Sequence, residues 1–202
     1  MREQSLGDWL DSLASGAPAP GGGAVAAMHA AMAAGLVSMV CELTVGRPKY
    51  AEHEATMRAV LTEAGDRRRE AVELADADAK AFTGVTEAYR LPKGTDEEKA
   101  ARTAAIQQAL VGAAAVPVRT ATLAGEILEL AMRIRAGANV NVLSDVAVAA
   151  VSARAAMQAA AVNVEVNRAA MTDVVARARL EAELASIGDR IAVAEKFIEE
   201  LA

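Results

Sequence analysis

A chain of 202 residues that is 53% hydrophobic but 2% aromatic can bury one sizeable core, and because its apolar content is mostly Ala, Val and Leu it favours helix over sheet. Its 21 Lys and Arg stand against 27 Asp and Glu, a formal net charge of −6, so it lacks the basic footprint of a nucleic-acid binder. One Cys and two His exclude an internal disulfide and are too few for a zinc site, so no bound metal is expected.

The spacing predicts six helices and no strand. The first runs from Ser5 to about Ser15, with Leu6, Trp9, Leu10 and Leu13 on one stripe, and Gly16 to Pro20 breaks it. Gly21-Gly22-Gly23 opens a second helix that reaches about Val45, where Gly46-Arg47-Pro48 stops it. Residues 24–41 approach the length of a membrane span. His29 in the middle, Glu42 directly after and a composition dominated by Ala fit a helix buried in a protein core instead. Around Asp8 and Asp11 there is no cationic, apolar leader pattern, so a cytoplasmic protein with no membrane partner is expected.

A long third helix starts near Tyr50 and ends at Leu91-Pro92, its apolar face formed by Val72, Ala75, Ala79, Phe82, Thr86 and Tyr89. Thr95 and Glu98 read as a capping box opening the fourth helix, which should kink at Pro117 and end near Gly137. The fifth covers about Asn141 to Asn167, and the sixth, Thr172 to Leu201, is amphipathic. Arg67-Arg68-Arg69, balanced by Asp66, Glu70 and Glu73, reads as a solvated face, and Cys41 as a small buried hydrophobe. Residues 1–202 are thus expected to form a single all-α domain, a bundle of long antiparallel helices. The second helix is apolar nearly all round and so is much of the fifth. One small domain struggles to surround both, so a homodimer is expected.

The fifth helix carries the most informative pattern. With Asn141 at zero and about 100° per residue, Asp145, Ser152, Asn163 and Asn167 all fall within about 80° of it, while Arg154, Gln158 and Glu165 fall near 220–260° on what reads as the solvent side. The first stripe should therefore face a core or a cleft. Unpaired buried polar groups cost about 1–3 kcal/mol each, so the row is either a pocket for a hydrogen-bonding ligand or an internal network. A carboxylate at Asp145 fits the pocket better, because in a core it needs a partner or a task. Pro20-Gly21-Gly22-Gly23 offers backbone N–H groups at the positive end of a helix dipole, or is a plain tight turn. Asp78 sits about 70° from the centre of the third helix's apolar stripe, where a solvated edge is the plain reading. Lys49 carries no signal on its own.

Together these segments resemble a known family: the cyclodeaminase domain of formiminotransferase-cyclodeaminase, with its stand-alone relatives and the related methenyltetrahydrofolate cyclohydrolases. The resemblance rests on LASGAPAPGGGAVAAMHAAMAAGL (13–36), ELTVGRPKY (42–50), DADAKAF (76–82), LPKGTDEEKAAR (91–102), Pro117, ANVNVLSDVAVAA (138–150), Asn163 and Asn167. It implies an all-α dimer acting on tetrahydrofolate. The expected reaction is conversion of 5-formiminotetrahydrofolate to 5,10-methenyltetrahydrofolate with release of ammonia; methenyltetrahydrofolate cyclohydrolase is the alternative, and a non-catalytic helical scaffold a second one. The folate is the substrate, and no cofactor is required. A separate formiminotransferase chain is a candidate partner. Such chemistry needs a positioned acid/base and a fixed negative charge beside the cationic methenyl bridge. Asp145 is expected to supply both, with Asp78 as second candidate or partner. Asn141, Ser144, Asn163 and Asn167 would orient the substrate, Gly21, Gly22 and Gly23 would admit it to backbone amides, and Lys49 would face the anionic tail.

Overall fold

The computed structural model describes residues 4–201 of the chain, and among them every regular element is helical. The elements are α1 (Leu6–Ala14), α2 (Gly22–Glu42), α3 (Glu54–Arg90), α4 (Asp96–Ile134), α5 (Leu143–Ala170) and α6 (Val174–Glu199), with short 3-10 turns at Pro48–His53 and Val140–Val142. Three helices are long and apolar enough to cross a membrane; here they pack on one another. α2 lies against α3, α4 and α5, and α5 in turn packs on α4 and α6. The side of α2 that meets these neighbours is almost all alanine: Ala24, Ala26, Ala27, Ala30, Ala33 and Ala34 are fully buried. With no side chain beyond Cβ, α2 lets its neighbours approach closely, and Leu123, Ile127, Ile134, Met57 and Met157 fill the spaces beyond it.

Local chemistry sets the ends. α2 ends at Glu42, and the turn that follows closes at Gly46, whose φ of 76° is left-handed backbone that glycine adopts without strain. Thr95 and Glu98 form the expected capping box: the Glu98 N–H donates to Thr95 Oγ1 at 3.2 Å and the Thr95 N–H to Glu98 Oε2 at 3.1 Å. α4 runs unbroken as one helix through Pro117, which is itself buried. Proline withdraws one hydrogen bond from the ladder there without ending the helix.

Part of the third helix departs from its expected solvated face. Arg67 and Glu70 of α3 and Arg119 and Glu126 of α4 form a ring of charges, with Arg119 Nε to Glu70 at 2.6 Å, Arg119 Nη1 to Glu126 at 2.7 Å and Arg67 Nε to Glu126 at 2.7 Å. The side chains keep 28–37% of their surface exposed, so the network fixes the register of α3 against α4 more than it adds stability.

α1 has a local task. Trp9 is buried and packs with Ala24, Ala27 and Ala75 in a small cluster apart from the main core. This ties α1 to the first turn of α2 and to the middle of α3, where those two helices meet.

Candidate functional site

At that meeting point the structure has a cavity of about 360 Å³, lined by Gly21, Gly22, Gly23, Asp78, Phe82, Val85, Tyr89, Leu110, Asn163, Val166 and Asn167 among others. Its floor is the N-terminus of α2. Gly21 is the N-cap and supplies no capping side chain, so the first-turn amides must look elsewhere for acceptors. Asp78 reaches across from α3 and accepts a hydrogen bond from the Ala24 N–H. It can do so because Gly23 has no side chain: a Cβ there would fall inside the Asp78 carboxylate. The absence of a side chain on one helix thus seats a carboxylate from another.

Electrostatically this aspartate is held between two opposing effects. Burial lifts its pKa, and the Ala24 hydrogen bond pulls it down; burial prevails, so the carboxyl stays protonated to higher pH than an ordinary aspartate. A carboxyl tuned upward at the edge of a cavity is a group suited to giving and taking protons.

The opposite wall comes from the last turns of α5. Asn163 Nδ2 donates to the Ala159 carbonyl at 2.8 Å and Asn167 Nδ2 to the Asn163 carbonyl at 2.9 Å. Both amides thereby spend a donor on their own helix and keep the side-chain oxygen as an acceptor. The Asn163 amide lies in van der Waals range of where a Gly22 side chain would be, so the two walls face each other across the cavity. Phe82 and Tyr89, expected in the core, are 47% and 49% exposed; they line the cavity instead of filling the bundle.

Six of the ten residues singled out in the sequence therefore meet: Gly21, Gly22, Gly23, Asp78, Asn163 and Asn167. Asn141, Ser144, Asp145 and Lys49 do not. Asn141 and Ser144 are exposed and Asp145 is half-buried, near the start of α5. A rise of 1.5 Å per residue puts Asp145 about 27 Å from Asn163 along the helix. The stripe on the helical wheel is real, but projection down the axis hides that length. One protomer cannot offer the whole stripe to one reacting centre. The other side of α5 is not simply solvent either: Arg154 is half-buried and lies 3.8 Å from Glu195 of α6.

Lys49 belongs to this second end. Its ammonium stands 5.4 Å from the centre of the Tyr50 ring, and Tyr50 Oη donates to Asn139 Oδ1 at 3.3 Å. Asn139, which the sequence reading passed over, is the buried member of the Asn139-Val140-Asn141 run. Its N–H donates to Thr44 Oγ1 at 3.0 Å, its amide nitrogen donates to the Leu43 carbonyl at 3.1 Å, and its amide oxygen accepts from the Asn141 N–H at 3.1 Å. It pins the end of α2 to the start of α5. The signal for it was available: an Asn whose side chain bonds the backbone two residues on is a turn-former before a helix.

Among the described residues no cluster of His, Cys, Asp or Glu has the makings of a metal site. The cavity's own groups are a carboxyl, amide oxygens, backbone amides and aromatic edges, a set that can hydrogen-bond a polar ligand and exchange a proton with it.

Comparison with known proteins gives the following. The sequence model described as Formiminotransferase-cyclodeaminase matches residues 5–186. The chain is 46% identical over 170 residues to a methenyltetrahydrofolate cyclohydrolase of Methylorubrum extorquens, covering 84% of this chain and 82% of that one. It is 34% identical over 187 residues to the formimidoyltransferase-cyclodeaminase of Mus musculus, covering 93% of this chain but 35% of the mouse protein, so it spans about a third of that relative's length. Its fold is similar to the solved formiminotetrahydrofolate cyclodeaminase from Thermotoga maritima, with a TM-score of 0.88, 28% identity and coverage of 99% and 96% of the two chains.

Proposed function

Since the chain belongs to the formiminotransferase-cyclodeaminase family, an enzyme family of folate one-carbon chemistry, we propose that it interconverts reduced folates at the carbon held between N5 and N10, with Asp78 as the acid/base. The observation that carries this is the raised carboxyl of Asp78, seated on the amides of α2 and facing the free amide oxygens of Asn163 and Asn167 across one cavity. A reduced pterin presents N–H donors along one edge, and those oxygens are acceptors for it. Gly21, where a side chain would enter open space, leaves room for it to lie against backbone.

Of the two reactions, hydrolysis of 5,10-methenyltetrahydrofolate is the reading we favour, because the cyclohydrolase relative shares more identity and is matched over most of its own length. Water loses a proton to Asp78 as its oxygen bonds to the cationic methenyl carbon. The tetrahedral adduct then collapses: the carbon–N5 bond breaks, Asp78 returns its proton to N5, and the adduct's hydroxyl proton leaves as the formyl C=O forms. The product is 10-formyltetrahydrofolate plus one proton. The ionised carboxylate also stabilises the cation it faces.

The cyclodeaminase reading stays as the second, favoured by the full-length likeness to the Thermotoga maritima enzyme. There N10 adds to the carbon of the protonated formimino group, Asp78 carries the N10 proton to the amino group so formed, and the carbon–amine bond breaks to leave ammonia and the cationic methenyl bridge. A near-ultraviolet absorbance assay separates the two, since the methenyl form alone absorbs there. Its accelerated loss in buffer supports the cyclohydrolase, its appearance from the 5-formimino substrate supports the cyclodeaminase, and no change with either removes both.

We further propose that the enzyme acts as a homodimer through the shared face of α2 and α5, and that a second copy brings the far polar cluster to the cavity. The two helices run antiparallel, and their outer side carries Met32 at 50%, Val148 at 50%, Val162 at 64% and Val166 at 65% exposure, an apolar strip with one polar cluster at each end. A two-fold axis through its middle would bring Lys49, Asn141, Ser144 and Asp145 of one copy against Gly21 to Gly23, Asp78 and Asn163 of the other. Asp145 then keeps the charge-stabilising role expected from sequence, in trans. Subunit mixing tests this. Asp78→Asn and Asp145→Asn homodimers should each be impaired, and an equal mixture should recover about a quarter of wild-type activity, since half the dimers carry one intact site of two. No recovery on mixing two folded, exchanging variants contradicts it.

A further inference from the structure

The cavity of about 360 Å³ is at the small end of the range that accepts drug-sized ligands, roughly 300–1,000 Å³. That volume has room for a pterin and its one-carbon bridge. The rest of a reduced folate, a benzamide ring ending in a glutamate dicarboxylate, must lie outside, and where it lies is written along α3. Asp78, Phe82, Val85 and Tyr89 all line the cavity at spacings of 4, 3 and 4, one stripe rising about 16 Å from the carboxylate to Tyr89. Phe82 and Tyr89 are half-exposed on it, an aromatic wall beside the route from the acid outward.

At the top of this wall stands Arg102 of α4. Its guanidinium is 5.6 Å from the centre of the Tyr89 ring, and its Nε and Nη2 donate to the Tyr89 carbonyl at 3.2 and 3.0 Å. That carbonyl ends α3 and lacks a partner in its own helix. Two of the guanidinium's five donors are used there. Among the described residues Arg102 is in no ion pair, in contrast to Arg58, Arg67, Arg119, Arg133, Arg135 and Arg168. A cation held rigidly by stacking and by a backbone acceptor, with donors to spare and no acid of its own, is preorganised for a carboxylate. Asp78 at the other end of the stripe repels one, so charge sets the direction of the ligand.

We propose that the Phe82–Tyr89 wall and Arg102 form the receptor for the substrate's benzoyl-glutamate arm, with Arg102 binding the glutamate carboxylate. This rests on the folate reading of the cavity given above. It gives the tail-binding role to a cation of the same protomer as the cavity, in place of Lys49, which within one protomer stands at the other end of the bundle beside Tyr50.

The test compares a glutamyl substrate with its tetrahydropteroate counterpart, which has the same pterin and benzoyl ring but no glutamate. Arg102→Gln should raise KM for the glutamyl substrate about ten- to a hundred-fold, with kcat unchanged and KM for the tetrahydropteroate form unmoved, and Arg102→Lys should restore part of the loss. An unchanged KM for the glutamyl substrate overturns the assignment while leaving the site reading intact. An equal rise for both substrates overturns it too, because it marks a structural role for Arg102 at the α3–α4 junction. Wild-type protein that turns over neither substrate removes the folate reading and this inference with it.

Discussion

Asp78→Asn is expected to lower kcat about 10²–10⁴-fold, the range a positioned acid/base contributes, without loss of fold. The amide is close in size to the carboxyl, and its oxygen can still accept from the Ala24 N–H. Stability should move the other way from activity. Because burial raises the folded pKa of Asp78, the folded chain holds this proton to higher pH than the unfolded chain, whose aspartates titrate near about 3.9. Folded protein therefore binds more protons across that window, and wild type loses stability as pH climbs from the unfolded value through the raised one. Asparagine does not titrate and escapes the loss. Thermal melts should show the variant equal to wild type below the window and at least as stable above it. A variant that melts well below wild type at neutral pH would mean that Asp78 is a structural cap and that its charge is not held in reserve for chemistry.

Gly23→Ala should be the most damaging single methyl group at this end of the molecule. The added Cβ falls inside the Asp78 carboxylate, and Gly23 is itself buried, so the two helices must part or the aspartate must swing out. Overpacking of this kind costs about 1–3 kcal/mol, which for a chain of this length lowers Tm by roughly 2–4 °C per kcal/mol. Activity should fall further than stability. Displacing a catalytic group by about 1 Å can cost about 100-fold, so kcat/KM is expected to drop at least that much even at temperatures where the protein is folded. Gly21→Ala is the internal comparison, since a Cβ at Gly21 meets no atom within 4 Å; its melt should fall only by the loss of a glycine N-cap, about 1 kcal/mol at most, and its activity should stay near wild type. Equal effects of the two changes would contradict the close approach of Asp78 to Gly23.

The helices were legible from spacing because each is long and strongly punctuated. Gly46, the Thr95–Glu98 box and Pro92 are local signals that tertiary packing has no reason to override. The site was half legible. Asn163 and Asn167 announce themselves as amides on an apolar helix, and three glycines ahead of another helix mark a place where something approaches backbone. Asp78 was harder. On its own helix it sits at the edge of the apolar stripe, a position normally solvated, and what draws it inward is the missing side chain of Gly23 on another helix, to which no periodicity refers. Asp145 is the opposite case, set apart from the cavity within one protomer. It shares an angular position with Asn163, but an angle carries no information about length, and the two are separated by most of α5. Phe82 and Tyr89 were assigned to the core by spacing and hydrophobicity; a cavity wall has the same pattern as a core, since both are apolar faces turned from bulk water.

The central claim is that the space between the α2 N-terminus, Asp78 and the α5 amides is where a reduced folate binds. Gly21→Leu addresses it with little disturbance of the protein. Gly21 has extended backbone, φ −136° and ψ −159°, that any residue can adopt, and its missing side chain would enter open space in the cavity lining. Leucine is a poorer N-cap than glycine by about 1 kcal/mol, so the fold should persist. Calorimetric titration with 5-methyltetrahydrofolate, which cannot form the methenyl bridge, should give binding to wild type and a Kd weakened at least about 100-fold, some 2.7 kcal/mol, in folded Gly21→Leu. Binding of equal strength to both proteins would place the folate elsewhere on the molecule and contradict the account.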